Sequence, residues 1–187
     1  MARTDSKFAS QQGEQWLPHD FGKIYTHLQT SSRPRLRIAA SFQGTALFRE
    51  LTLALAEPFL LLYVLVVPRG RSEPGRYQSG DLSRVELDAM FEQFGTFWDS
   101  DGRHNIWVRS SDEGMLVYDR HNIIHAYGPL QRFESCLLPL GYRSTASLSL
   151  DFEHQHSYHQ EFDDLERALV KRFADKRSEL REGDENP

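Results

Sequence analysis

Histidine is the residue whose type and spacing most readily suggest chemistry in this chain. His154, His156 and His159 fall in one acidic stretch with Asp151, Glu153, Glu161 and Asp163. On an extended backbone alternate side chains share a face, so His154 and His156 point the same way, and His159 can close on them from a following turn. Imidazoles so placed are donors for a transition metal such as zinc, and a centre of this kind would serve a small metal-dependent hydrolase. An exposed polar turn between a strand and a helix would account for the same residues without a metal.

A second cluster comprises Arg103, His104, Trp107, Arg120, His121, His125 and Tyr127. Arginine recognises carboxylate or phosphate through paired hydrogen bonds, so these residues are candidates for binding an anion. Arginine and aromatic side chains together also suit the surface that meets a protein partner. His121 and His125 are candidate general bases. Cross-strand pairing on a solvated face is the structural alternative. The tetrapeptide Arg-His-Asn-Ile occurs twice, at 103–106 and 120–123. Two strands entered by the same turn chemistry would explain the echo without an internal repeat.

Other familiar motifs fail on inspection. Gly70 to Gly75 has the glycine spacing of a phosphate loop, but Arg76 and Tyr77 stand where Lys and Ser or Thr are required. Arg69, Arg71 and Arg76 of that stretch remain candidates for weak contact with an anion or a nucleic acid. Asp99, Asp101 and Gly102 echo a calcium loop, yet the first and last ligand positions would fall on Phe97 and Val108. Cys136 sits among Phe133, Leu137 and Leu140, where a small buried hydrophobe is expected. There is no Gly-x-Ser-x-Gly elbow and no His-Glu-x-x-His pair.

The elements that must position these residues follow from periodicity. Phe21, Ile24, Tyr25 and Leu28 have helical spacing and predict a short amphipathic helix in a polar N-terminal extension, 1–34. Ser31, Ser32 and Pro34 read as a linker. Leu36–Phe42 reads as a strand, Ala46–Glu57 as a helix capped by Thr45, and Phe59–Val67 as a central strand apolar on both faces. Strand, helix and strand in succession predict a parallel pair. Pro68–Leu82 reads as a surface loop, and Ser83 with Glu86 as the capping box of a helix that stops near Asp99. Three short strands follow at Asn105–Arg109, Met115–Asp119 and Asn122–Tyr127. A helix then begins at Pro129, with Gly141 at its C-terminal end. Ser144–Phe152 alternates as a half-buried strand, and Gln160–Leu180 carries a helical stripe. The expected fold is one α+β domain over 35–176, with a mixed sheet of five or six strands and helices packed on it. An acidic, disordered tail is expected over 177–187.

Composition bounds the function. A chain of 187 residues favours one domain with a real core. Its most apolar run, Phe59–Val67, is far shorter than the roughly 20 residues of a membrane-spanning helix. A single cysteine and a polar stretch from Met1 to Gln15 point to the cytoplasm. The net charge of −5 arises in 151–187, with eleven acids against six bases, while 1–150 balance sixteen against sixteen. A basic nucleic-acid footprint is therefore missing, and no membrane association is expected. The leading expectation is a non-enzymatic, protein-binding or inhibitory role of the immunity or accessory kind, in a chain of bacterial appearance. It needs no cofactor, and the zinc hydrolase is the alternative.

Overall fold

A computed structural model describes residues 6–29, 33–40, 42, 44–112 and 114–187. Among these residues twelve strands and four α-helices follow one another along the chain. The strands are β1 (Phe8–Gln12), β2 (Gln15–Pro18), β3 (Ile24–Leu28), β4 (Arg35–Ala39), β5 (Phe59–Leu65), β6 (Gly75–Leu82), β7 (His104–Ser110), β8 (Met115–Tyr118), β9 (Ile123–Tyr127), β10 (Arg143–Ser144), β11 (His154–His156) and β12 (Arg177–Ser178). The helices are α1 (Gly44–Thr52), α2 (Arg84–Ser100), α3 (Leu130–Leu137) and α4 (Asp163–Arg172). Nine strands form one mixed sheet in the order β10-β3-β4-β9-β8-β7-β5-β6-β12, and β11-β1-β2 form a second, smaller sheet.

The period of two in β5 divides the core. Phe59, Leu61, Tyr63 and Leu65 share a face with Ile106 and Val108 of β7 and Leu116 of β8. They join one cluster with Phe48 and Leu51 of α1, Phe91, Phe94, Phe97 and Trp98 of α2, Phe133 of α3 and Leu169 of α4. Burying each such side chain stabilises the fold by about 1.5–3 kcal/mol, so this face holds the main driving force. The other residues of β5 face away from the helices. Leu62, Val64 and Val66 are covered there by Trp107 and Leu180. Farther along that face, Ala39, Ile123 and Leu148 pack with Phe21, Ile24 and Leu150.

Several expectations match. The capping box of α2 is formed by Ser83 and Glu86, α3 begins after Pro129, and β7-β8-β9 is the three-stranded meander. Gly141 adopts a positive φ of 83° after α3, a conformation that disfavours any side chain.

Other expectations are corrected. The main sheet has nine strands, not five or six. The Leu36 strand does not pair with the Phe59 strand. Its neighbours are β3 and β9, both antiparallel, and the parallel pair in the sheet is β10 with β3. The predicted helix around Ile24 is β3 instead. Tyr25 packs in the helix-side core while Phe21 and Ile24 pack on the opposite face, so apolar residues on both faces of a strand imitate helical spacing. The predicted extension thus supplies strands to both sheets.

Residues 75–82, expected in a loop, form β6. A Cβ added at Gly75 would lie 3.0 Å from the Ser178 carbonyl oxygen of β12, a tight approach that a glycine avoids. The segment 145–152 has no regular structure, and α4 stops at Arg172. Within 177–187, β12 pairs with β6, and buried Asp184 forms an ion pair with Arg76. Ser31 and Ser32 of the expected linker lie outside the described residues.

Candidate metal centre

The register between β1 and β11 sets Phe8 opposite His156 and Ser10 opposite His154, so these four side chains share one face of the smaller sheet. That face meets the tight turn between β8 and β9, which carries His121. The ring centroids lie 5.4 Å apart for His121 and His154, 4.9 Å for His121 and His156, and 5.9 Å for His154 and His156. Each ring offers one nitrogen, and the three nitrogens all lie within 4.8 Å of one another. A tetrahedral zinc holds its nitrogens at about 2.0–2.1 Å, which sets neighbouring ligand nitrogens about 3.3 Å apart and ring centres about 5 Å apart. The rings therefore already stand at ligating separation, and small rotations would bring the nitrogens together.

Behind the rings are groups that fix their orientation. The His154 Nδ1 lies 3.0 Å from the Phe152 carbonyl oxygen, so its N–H can donate there and leave Nε2 to face a metal. Asp119 Oδ2 is 3.6 Å from His121 Nδ1 and 3.0 Å from His125 Nε2. Asp119 Oδ1 accepts the backbone N–H groups of His121 at 2.8 Å and Ile123 at 2.9 Å. Burial alone would raise the Asp119 pKa, but His121 and His125 outweigh it and hold the carboxyl well below the usual carboxylate range. Burial, reinforced by the positive charge of Arg120, pushes His156 down to about 3, so it is neutral at physiological pH and ready to ligate.

Phe8 is fully buried beneath the cluster, with its ring 5.3–5.7 Å from those of His121, His154 and His156. His19 lies beside it, stacked on Phe152 at 4.4 Å with Nδ1 2.8 Å from Ser10 Oγ. Its pKa is lowered, chiefly by burial.

The structure thus brings together two of the three histidines expected to bind metal, and adds His121 from the other cluster. His159 does not join them. Its ring packs edge-on against Phe162, and its backbone N–H donates to Asp101 at 2.7 Å. The strand ends at His156, and the chain then turns toward Asp101. His121, Asp119 and Phe8 were not read from the sequence as parts of a metal site. The available signal was Asp119 two residues before His121 and six before His125.

The remaining candidates separate by burial. Arg103 is fully enclosed, bonded to both Asp101 oxygens at 2.8 Å, to Glu166 at 2.6 Å, to Asp163 at 3.0 Å and to the His159 carbonyl at 2.8 Å. It is a structural hub with no surface to offer a partner. His104 is buried on the helix side, 4.5 Å from the Phe97 ring, with neither ring nitrogen bonded. Neither side chain is exposed at the surface. Trp107 lies half-buried on the opposite face near Arg76. Arg120 is half-buried and donates to the Tyr158 hydroxyl at 2.9 Å, while its Nε is buried without a partner. Arg35 reaches the hydroxyl of Tyr127, and His125 is held by Asp119. In the loop expected to touch anions, Arg69 pairs with Asp163 at 3.2 Å and Arg76 with Asp184. The acidic C-terminal residues are in this way partly neutralised within the fold.

Comparison with family models, curated proteins and solved structures finds no match. Among the described residues no helix is long and apolar enough to cross a membrane.

Proposed function

We propose that the chain is a metal-dependent hydrolase whose centre is His121, His154 and His156, with zinc the ion that best suits the three imidazoles. The observation that carries this reading is the meeting of three histidine nitrogens within 4.8 Å, contributed by a strand of one sheet and a turn of the other. No fourth ligating side chain joins that group among the described residues. Three protein ligands leave one tetrahedral position for water, the pattern of catalytic rather than structural zinc. A zinc ion held by these three imidazoles would supply the chemistry of an activated water, whose pKa it would lower to about 7. Asp119 beside His121 and the Phe152 carbonyl beside His154 give each ring a partner on its other nitrogen, which sets ring direction.

The test is the metal content of untagged protein, with the visible absorption of the cobalt-substituted form. One equivalent of metal and a tetrahedral cobalt spectrum are expected. Both are lost in His121→Ala and in the His154→Ala/His156→Ala pair, and both are kept in His159→Ala. Hydrolysis of a chromogenic ester panel is expected to follow the metal. Metal-free protein that gives no cobalt spectrum would overturn the reading.

A second reading, a protein-binding role without catalysis, rests on a groove of about 540 Å³ lined by Ala40, Phe42, Leu47, Leu140 and Tyr142, in which Phe42 is 51% exposed. The metal measurement separates the two, since this reading needs no ion.

A further inference from the structure

On the face of the larger sheet opposite the helices, a cleft of about 240 Å³ is lined by Arg35, Arg37, Asp119, His121, His125 and Leu150, and closed on one side by Asn186 and Pro187 of the C-terminal segment. Register places its cationic floor: Arg35 pairs with Tyr127 and Arg37 with His125 across β4 and β9, so their side chains rise from the same face. Three nitrogens in this group are buried and have no hydrogen-bond partner, namely Arg35 Nε, Arg37 Nε and His125 Nδ1.

The rest of each side chain is already committed. Arg35 Nη1 donates to the Tyr127 hydroxyl, Arg37 Nη1 donates to the Leu148 carbonyl at 2.9 Å, and His125 Nε2 faces Asp119 Oδ2 at 3.0 Å. These contacts hold the side chains in place, and all three unpaired nitrogens belong to residues that line this one cleft. Buried polar groups are rarely left unpaired, and three around one cleft mark a place for a ligand.

The ligand's character follows from the charges. Arg35 and Arg37 bring two positive charges against the one negative charge of Asp119. Asp119 is occupied by His125 and by the backbone N–H groups of His121 and Ile123. Asp184, on the neighbouring tail, is bound by Arg76. Among the side chains that line the cleft, positive charge is therefore in excess, which suits an anion. The two Nε–H groups call for acceptor oxygens and His125 Nδ1 for a donor, a combination that a hydrogen phosphate offers and an ionised carboxylate, which has no hydrogen to donate, lacks. With Nε2–H given to Asp119, His125 Nδ1 is left as an acceptor, and the hydroxyl of a hydrogen phosphate can supply its proton.

We infer that this cleft binds the phosphate group of a phosphate-bearing substrate beside the metal centre, which it adjoins through His121. In naming the substrate the inference rests on the hydrolase reading, whereas phosphate binding itself rests on Arg35, Arg37 and His125.

The test is calorimetric titration of the full-length chain with inorganic phosphate, phenyl phosphate and acetate, with and without chelator. Wild type and His154→Ala are expected to bind phosphate and phenyl phosphate alike, with acetate at least tenfold weaker. Arg37→Gln and Arg35→Gln are each expected to weaken phosphate by about tenfold or more, the loss of one charged hydrogen bond. Two variants are used so that misfolding of one, seen by circular dichroism, leaves the other to decide. Absence of phosphate binding, or binding untouched in a folded arginine variant, overturns the inference and leaves the metal reading standing. Binding lost in His154→Ala but kept in Arg37→Gln would place the phosphate on the metal and not in the cleft. Binding of inorganic phosphate with phenyl phosphate excluded would overturn the substrate assignment.

Discussion

Replacing Arg103 by methionine should be among the most damaging single changes available to this protein. The guanidinium is fully enclosed, and it bonds Asp101, whose side chain is 0% exposed, and Glu166, whose side chain is 2% exposed. Methionine fills part of the volume but leaves those carboxylates buried without their cation. Breaking a buried pair from one side costs about 3–5 kcal/mol. Total stability is about 5–15 kcal/mol, so the loss is a large fraction of it. In a chain of this size each kcal/mol shifts the melting temperature by about 2–4 °C, giving an expected fall of about 6–20 °C. Thermal unfolding followed by circular dichroism at pH 7 measures it. Arg103→Lys should fall between the two, because it keeps the charge but loses the fork that grips both Asp101 oxygens. Metal occupancy should fall as well, since Asp101 accepts the His159 N–H and the Gly102 N–H donates to the Ser157 carbonyl at 2.9 Å, fixing the chain just beyond His156. An Arg103→Met protein melting within about 2 °C of wild type would refute the view that the hub supports the fold.

Two further predictions concern buried groups whose protonation opposes folding. Burial, aided by Lys7 and Arg103, holds the His104 pKa well below its ordinary value, so below about pH 6.5 the unfolded chain takes up a proton that the folded chain refuses and stability is lost. His104→Phe should therefore raise the melting temperature more at pH 5 than at pH 8, and an equal gain at both would refute the assignment. Lys7, buried with its Nζ 3.0 Å from the Trp98 carbonyl and 3.4 Å above the Tyr118 ring, is pushed down to about 7 by burial. The unfolded state binds more protons between that value and about 10.5, so the native protein gains stability as pH rises through this window. The melting temperature of Lys7→Met relative to wild type should accordingly be highest near pH 6 and decline toward pH 10. A constant difference would show that Lys7 carries no such penalty.

What could be read from the sequence was local. The capping box at Ser83 and Glu86, the start of α3 at Pro129 and the meander from His104 to Tyr127 each depend on neighbours along the chain. The pairing of His154 with His156 was legible for the same reason, because alternation within one strand is enough to put them on a common face. The third partner was not, because His121 reaches them only when β1 joins residues 8–10 to residues 154–156 and carries that sheet over the β8–β9 turn. No periodicity encodes such a contact. The acidic C-terminal segment from 151 onward is harder to read: its composition is that of a solvated segment, but inside the fold Arg103 meets Glu166 of α4 and Arg76 meets Asp184 of the tail. Charge excess in one segment is a poor guide to disorder when complementary arginines lie elsewhere.

The repeated tetrapeptide shows how small a difference in spacing separates structure from chemistry. In both places an aspartate Oδ1 accepts the backbone N–H two residues on: Asp101 from Arg103 at 3.1 Å, and Asp119 from His121 at 2.8 Å. The same carboxylate then addresses the side chain of the residue it has caught, Arg103 through Nε and Nη2, and His121 through Nδ1 at 3.6 Å. Gly102 separates the first aspartate from its Arg-His-Asn-Ile, while Asp119 directly precedes the second. The turn consequently falls on arginine in one copy and on histidine in the other. A one-residue change of register in an extended chain reverses the direction of each side chain. The first copy sends arginine into a buried ion cluster and His104 into the helix-side core. The second holds histidine against its carboxylate, aimed at His154 and His156, and leaves Arg120 at the edge of the site. His121 owes its direction to the absence of a glycine at that point, because the Asp119 turn alone holds its backbone and aims its ring toward His154 and His156.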